Sequence, residues 1–153
     1  MPNKIPYLEI ENATIIFKNF SGAETQYNRK GNRNFHVIID GEENADRLMG
    51  EGWNIKKRPP HDGEGDPICT MQVTVRFDIL PPQIYLVSER TGKKTLLDEG
   101  SVELLDYADI ANVDLIIRPR AWEVNGKEGI KAYLKTMYVT VREDRFAEKY
   151  SEG

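Results

Sequence analysis

The chain has 153 residues, of which 39% are hydrophobic and 30% charged, and its 21 basic and 25 acidic side chains give a formal net charge of −4. This composition excludes a disordered chain, and about 150 residues suit a single domain with one core. The single cysteine, Cys69, excludes an internal disulfide and a multi-cysteine zinc site. No apolar run reaches the roughly 18–20 residues needed to cross a bilayer, and no export signal is apparent at the N-terminus, so we expect no association with a membrane.

The first third of the chain favours strands. Residues 7–18 are rich in β-branched and aromatic side chains and predict a first strand. A polar loop with two glycines follows over 19–32, and the alternation in 33–39 predicts a second strand. Residues 42–51 are the best candidate for a helix, because their apolar side chains share a helical face and Gly52 stands where a C-terminal cap would lie.

The middle of the chain predicts shorter elements. The segment 53–70 begins as a possible short strand and breaks at two consecutive prolines, and 71–79 alternates as a strand does. Residues 83–88 and 94–97 predict a hairpin. Residues 99–112 fit either irregular coil or a short helix.

The last third has the clearest pattern. Two long β runs, 113–124 and 129–142, flank an Asn-Gly pair, which is a strong hairpin signal. The apolar set changes parity in the second run, which predicts a β-bulge or sharp bend near Thr136. We therefore predict a mainly β domain over 1–142, with five or more strands, one short helix and long loops, and a flexible polar tail over 143–153.

The charges are unevenly distributed along the chain. Segments 16–33, 54–60 and 115–142 together hold 13 basic and three acidic residues, a balance of +10, so the remainder carries −14. Two acidic blocks, 40–51 and 98–114, dominate that remainder. The net charge therefore does not exclude a polyanionic partner.

The terminal hairpin is predicted to present basic and aromatic side chains together. Alternation along each strand places one row from the first strand beside one row from the second, on the side away from the core. With the turn at the centre, we expect Trp122 to face Lys131, Arg120 to face Tyr133, and Arg118 to face Lys135. A slip of one residue pair would keep the two rows on one surface.

Such a surface matches the chemistry of single-stranded nucleic acid, since cations neutralise phosphates and exposed rings stack on unpaired bases. The loop before the second strand offers a further contribution, and Lys56, Lys57 and Arg58 form a third basic cluster that a solvated turn explains equally well. The alternative for the hairpin is that its rings merely cover hydrophobic area beside lysine stems. The loop residues expected to assist are Tyr27, Arg29, Lys30 and Arg33.

Three segments resemble a known family: FKNFSG at 17–22, YNRKGNRNF at 27–35 and RPRAWEVNGKEGIKAYL at 118–134. With them, the chain resembles single-stranded DNA-binding proteins of tailed phages over roughly residues 10–142. The resemblance implies an OB-fold, a five-stranded Greek-key barrel, and a role in coating single strands with little sequence preference during replication and recombination. The tail over 143–153 departs from the strongly acidic, partner-recruiting tail common in such proteins, because it is only mildly acidic and does not end in an aromatic residue.

No pattern in the chain predicts an enzyme. Neither histidine is paired with a nucleophile at a telling position, and Cys69 fits a small buried residue. We expect no catalytic residue, no metal site and no cofactor. The expected partners are single-stranded DNA and, as candidates, phage or host replication and recombination proteins, in the cytoplasm of the host cell. The alternative function is a β-rich structural or assembly module of a phage particle, and the oligomeric state is left open.

Overall fold

A computed structural model describes residues 5–26, 28–59, 63, 65, 67–78 and 80–142. Strands dominate this part of the chain, as predicted. It contains one α-helix, α1 (Glu42–Glu51), a short 3-10 helix (Val102–Asp106) and nine strands. The strands are β1 (Leu8–Ala13), β2 (Ile15–Asn19), β3 (Arg33–Ile39), β4 (Ile55–Arg58), β5 (Ile68–Val75), β6 (Gln83–Ser88), β7 (Lys94–Leu97), β8 (Ile110–Val124) and β9 (Lys127–Val141).

The predicted first strand is two strands, β1 and β2, separated by Thr14. Both halves contain an irregularity, and Asn12 and Phe17 adopt positive φ angles of 53° and 52° there. Bulges of this kind bend a strand and increase its twist. The bend lets one N-terminal segment pair with β8 on one side and with β3 on the other.

The main path of the sheet runs β1-β8-β9-β5-β3-β2, and its two ends are therefore consecutive in sequence. The contact between β5 and β9 is parallel, whereas the other neighbours on this path are antiparallel. No ladder joins β1 to β2 in the part of the chain that the structure describes, so the path is not closed by hydrogen bonds. The nine strands agree with the prediction of five or more. They exceed the five that the OB-fold resemblance implied, because the first strand is divided and β4, β6 and β7 pair with the sheet outside the main path.

The terminal hairpin follows its sequence signal closely. The turn contains only Asn125 and Gly126, whose φ angles of 54° and 78° are those of a type I′ turn. The register shifts where Ile116 pairs with Thr136 and Ile117 with Leu134, so Lys135 is the extra residue of a bulge. This confirms the bend that was predicted from the parity change.

The helix and the core fix the base of this hairpin. Gly52 caps α1 in a left-handed conformation, as predicted, and its carbonyl accepts a hydrogen bond of 2.9 Å from the Ile130 amide. Trp53 follows it into the core and bridges to the same residue, Ile130. Cys69 is buried, as expected. From Arg120 to Glu128 the hairpin is exposed, so it extends from a fixed base.

The middle of the chain differs from expectation mainly at its boundaries. The strand predicted over 71–79 is β5 (Ile68–Val75), which begins earlier and ends before Arg76. The short strand after α1 and the hairpin of β6 and β7 are confirmed. The ambiguous segment 99–112 contains the 3-10 helix and the start of β8. Within the described residues, no helix is long and apolar enough to span a membrane.

Candidate nucleic-acid interface

The two basic-aromatic rows of the hairpin lie side by side, but in a different register from the one predicted. Arg118 pairs with Tyr133, Arg120 with Lys131, and Trp122 with Gly129. The expected pairing was wrong by one residue pair, because a two-residue turn brings Val124 opposite Lys127. The result places two cations, Arg120 and Lys131, directly opposite each other, an arrangement that is destabilising unless an anion lies between them.

Trp122 lies against a glycine that makes room for it. A Cβ atom on Gly129 would lie 2.8 Å from Cζ2 of the indole, closer than any real contact. The indole is nevertheless 43% exposed, and it borders a cleft of about 160 Å³ that also involves Gln72, Thr74 and Lys131. The ring is therefore held in place at its edge while part of its surface is open to solvent.

Tyr133 lines a second cleft, of about 260 Å³, at the base of the hairpin. Pro119 and Leu134 contribute apolar surface, and arginines 76, 118 and 120 also line the cleft. The Arg118 guanidinium donates a 3.2 Å hydrogen bond to the Leu80 carbonyl, which fixes that side of the cleft. An apolar pocket beside an aromatic ring, with cations around it, is suited to an unpaired base and its phosphates.

Arg76 belongs to this surface although it was not among the predicted site residues. Its guanidinium makes two hydrogen bonds to the Asp78 carboxylate, at 3.0 and 2.5 Å. These bonds raise the pKa of Arg76 above its usual value, with a smaller contribution from Tyr133. The proximity of Arg76 to the hairpin depends on the parallel pairing of β5 with β9, which no local pattern reveals.

The 20–32 loop faces the same surface across a wider cleft of about 690 Å³. Arg29 and Lys30 are exposed, and Arg29 lines this cleft together with Lys131 and Gln72. Tyr27 lies outside the described residues. The structure thus brings Arg29 and the hairpin to one cleft.

The neck of this loop is closed by hydrogen bonds. The Gly31 amide donates to the Gly22 carbonyl at 2.8 Å. On the strand side, the Asp106 carboxylate accepts bonds from the amides of Phe20 and Ser21, at 2.7 and 3.0 Å. One carboxylate of the acidic block at 98–114 therefore positions the loop.

Arg33 is engaged in holding the loop more than in presenting charge. Its Nε donates a 3.0 Å bond to the Phe20 carbonyl, and Nη1 forms an ion pair with Glu99 at 3.4 Å. Its guanidinium also lies 5.5 Å from the centre of the Phe77 ring. The half-buried Arg33 lines the wide cleft, but its Nε and one N–H of its Nη1 are already engaged within the protein.

Lys135 stands apart from the other hairpin cations. As the bulge residue it does not line either hairpin cleft, and its Nζ lies 5.4 Å from the centre of the Tyr7 ring. Tyr7 is itself exposed and precedes Leu8, which pairs with Ile117. The pair extends the basic-aromatic character toward the edge of β1, a neighbour the sequence did not suggest.

The third basic cluster is divided by the pleat of β4. Lys57 forms ion pairs with Glu42 and Asp46 of α1, and these hydrogen bonds raise its pKa. Lys56 and Arg58 point to the opposite face of the strand, toward Thr70. The three are consecutive in sequence and so predict one cluster, but alternation along β4 separates Lys57 from Lys56 and Arg58.

Four cations of the loop and the hairpin form no ion pair with a described carboxylate. In the described parts of the chain, no carboxylate pairs with Arg29, Lys30, Arg120 or Lys131. No group of three or more potential metal ligands was found there either.

Comparisons with known proteins agree with this geometry. The family model for a phage ssDNA-binding domain matches residues 2–152. Three solved structures of the single-stranded DNA-binding protein from bacteriophage Enc34 have a similar fold. The complex with ssDNA has a TM-score of 0.56 at 10% identity, covering 92% of this chain and 89% of that one. The C-terminal truncation has a TM-score of 0.55 at 11% identity, with coverages of 90% and 87%. The third has a TM-score of 0.52 at 11% identity, with coverages of 95% and 87%. No curated protein matches the chain. The similarity supports the predicted OB-like fold.

Proposed function

The chain belongs to the phage ssDNA-binding domain family, and from this premise we propose that it coats single-stranded DNA with little sequence preference during phage replication and recombination. The observation that carries the proposal is the surface formed by the terminal hairpin. There, Trp122 and Tyr133 border clefts whose cations include Arg120 and Lys131, neither of which pairs with a carboxylate of the described residues.

Affinity would come chiefly from the phosphates. Each lysine or arginine that neutralises a phosphate releases condensed counterions, so binding weakens as salt rises. The opposed side chains of Arg120 and Lys131 repel each other in the free protein, and a phosphate between them would remove that repulsion. Arg29 and Lys30 would approach the same strand from the loop.

Base stacking would add to this without reading the sequence. Every base has a π-face, and stacking on a protein ring contributes about 1–3 kcal/mol per base. Trp122 offers part of its indole, and Tyr133 offers a ring at the wall of an apolar cleft. Because neither phosphate neutralisation nor stacking depends on which base is present, we propose low sequence preference, and a binding role in the host cytoplasm without catalysis.

The test is a titration of fluorescently labelled oligo(dT) at about 50 mM and about 200 mM salt, with the wild type and Trp122→Ala. We expect tight binding at low salt, weaker binding at high salt, and a loss on the order of tenfold or more in the variant.

Two outcomes would contradict the proposal in different ways. Absence of binding at low salt would refute the function and favour a structural module of the phage particle. Tight binding that responds to neither salt nor Trp122→Ala would leave DNA as the ligand but overturn the proposed surface.

A further inference from the structure

Phe17 is an exposed aromatic residue in an unusual backbone conformation. Its side chain is 59% exposed, and its φ of 52° lies in the left-handed region that bulky residues rarely adopt. It sits in the irregular stretch between Ile16 and Asn19, where β2 departs from regular pairing with β3. Such a conformation has an energetic cost, and it persists here although burial of the ring does not compensate it.

Two nitrogen-bearing side chains hold the Phe17 ring in position. The Arg58 guanidinium carbon lies 5.1 Å from the centre of the ring, within the range of a cation–π contact. His36 meets the ring edge to face, with centroids 5.3 Å apart and planes at 88°. The Arg58 guanidinium is itself oriented by Thr70, at a long hydrogen-bond distance of 3.5 Å. The ring is therefore exposed yet fixed in direction.

The surroundings of this ring are cationic. Burial makes the largest contribution to lowering the pKa of His36, and the positive charges of Arg58 and Lys56 lower it further. Among the residues that the structure describes, no carboxylate forms an ion pair with Lys56 or Arg58. The Nδ1 atom of His36 is buried and has no hydrogen-bond partner there.

The cluster of Phe17, His36, Arg58 and Lys56 is continuous with the hairpin surface. His36 on β3 pairs with Gln72 on β5, and Gln72 borders both the cleft of Trp122 and the wide cleft under the loop. Lys131 borders the same two clefts. Going from β9 across β5 and β3 to β2 spans three strand spacings, about 14 Å at roughly 4.8 Å each. One extended strand of DNA covers such a distance.

We propose that Phe17 is a further base-stacking position for single-stranded DNA, with Arg58 and Lys56 as phosphate contacts beside it. The inference rests on the proposed function and extends it: the bound strand would run from the hairpin across β5 and β3 to the bulge of β2. Base stacking accounts for an aromatic side chain held exposed, in a strained conformation, among cations that have no acidic partner within the described residues.

The test compares oligo(dT) with an otherwise identical oligonucleotide whose central residues are abasic, using the wild type and Phe17→Ala. The abasic strand keeps the phosphates and lacks the bases. We expect Phe17→Ala to weaken oligo(dT) binding on the order of tenfold and to leave binding of the abasic strand nearly unchanged. Phe17→Trp should retain wild-type affinity. Tyr107→Ala, which removes an 87% exposed ring elsewhere, is the matched control and should have no effect.

The outcomes separate this inference from the proposed function. Equal weakening on both oligonucleotides would assign Phe17 a structural role and overturn the inference. Unchanged binding by Phe17→Ala, with a loss in Trp122→Ala, would also overturn it while leaving the proposed function intact. Absence of binding by the wild type would refute both. Thermal unfolding of each variant verifies that it is folded, and Phe17→Leu provides a second variant that keeps apolar bulk without the aromatic face.

Discussion

Strand β9 carries two tyrosines, one on each side of the bulge at Lys135, and they differ in what their rings can offer. Tyr138 is the more exposed, at 37%, but it stacks on Tyr85 with centroids 4.9 Å apart and planes at 11°. Lys94 lies 5.7 Å from the centre of the same ring. Tyr133 is half-buried and borders an open cleft lined by arginines.

The difference teaches that exposure is a poor measure of availability. Both tyrosines have a lysine nearby, and a count of residue types would rank the two regions equally. In the region of Tyr138, the rings of Tyr138 and Tyr85 already stack on each other. In the region of Tyr133 the ring is approached by Lys131, at 5.2 Å, and its cleft is empty enough to admit a base.

The largest expected effect is therefore that of Tyr133→Ala. Loss of one stacking ring at the cleft should weaken oligo(dT) binding about tenfold to a hundredfold. Tyr138→Ala should change the affinity less than about twofold, since its ring is already stacked on Tyr85. Fluorescence anisotropy with a labelled oligonucleotide measures both. Equal losses in the two variants would show that the distinction between the regions is wrong.

Charge should separate the same two regions by salt dependence. Replacing Arg120 and Lys131 with Gln removes two proposed phosphate contacts. The negative slope of log K against log salt should therefore decrease in magnitude by about 1.4. The double variant of Lys93 and Lys94 removes the same charge from the side of Tyr138 and should leave the slope nearly unchanged. Titrations at four or so salt concentrations give the slopes. A larger change of slope in the Lys93 and Lys94 variant would indicate that DNA binds on the side of Tyr138 and not at the hairpin.

A smaller effect is expected at Gly129. Alanine there forces the indole of Trp122 to move, because its Cβ would meet Cζ2 at 2.8 Å. We expect a loss of affinity of about threefold, a fraction of what removal of a stacked ring costs. Gly50→Ala is the control, since Gly50 has open space around it in α1 and should gain helix stability. Wild-type affinity in Gly129→Ala would mean that the position of the indole does not matter.

The smallest effect concerns pH and is expected away from the hairpin. The pKa of His36 is lowered from its ordinary value of 6.5, so the unfolded chain binds this proton more tightly than the folded chain does. The contribution to stability is therefore present above pH 6.5 and is lost as pH falls through the folded pKa. Urea unfolding at about pH 5.5 and about pH 7.5 should show a smaller loss on acidification in His36→Gln than in the wild type. An identical loss in both would refute this role.

Local patterns predicted most of the fold. Alternation predicted β3, β8 and β9, and the Asn-Gly pair predicted the turn between β8 and β9. The change of apolar parity predicted the bulge at Lys135. Each of these signals depends on residues close in sequence. The division of the first strand at Thr14 could not be predicted, because a bend between β1 and β2 is imposed by two different partner strands.

The part of the candidate site that lies within one hairpin could be predicted from the sequence. The part that is formed by strands distant in sequence could not. The rows containing Arg120 and Lys131 follow from alternation around one turn. The contributions of Arg76 and Phe17 depend on neighbours that are distant in sequence, through the parallel contact of β5 with β9 and the bulge of β2. Conversely, Arg33 has the residue type of a phosphate contact, and only the structure reveals that its Nε and Nη1 already bond to Phe20 and Glu99.

The closed neck of the loop has a consequence for how such a protein can diversify. Gly22 and Gly31 are tied to each other, and Asp106 holds the chain just before them, so the residues between are anchored independently of their own length. Lengthening a loop whose ends are fixed costs little conformational entropy, since each doubling costs only about 0.6 kcal/mol. Insertions between Gly22 and Gly31 can thus change the contacts with a ligand while the strands below keep their places.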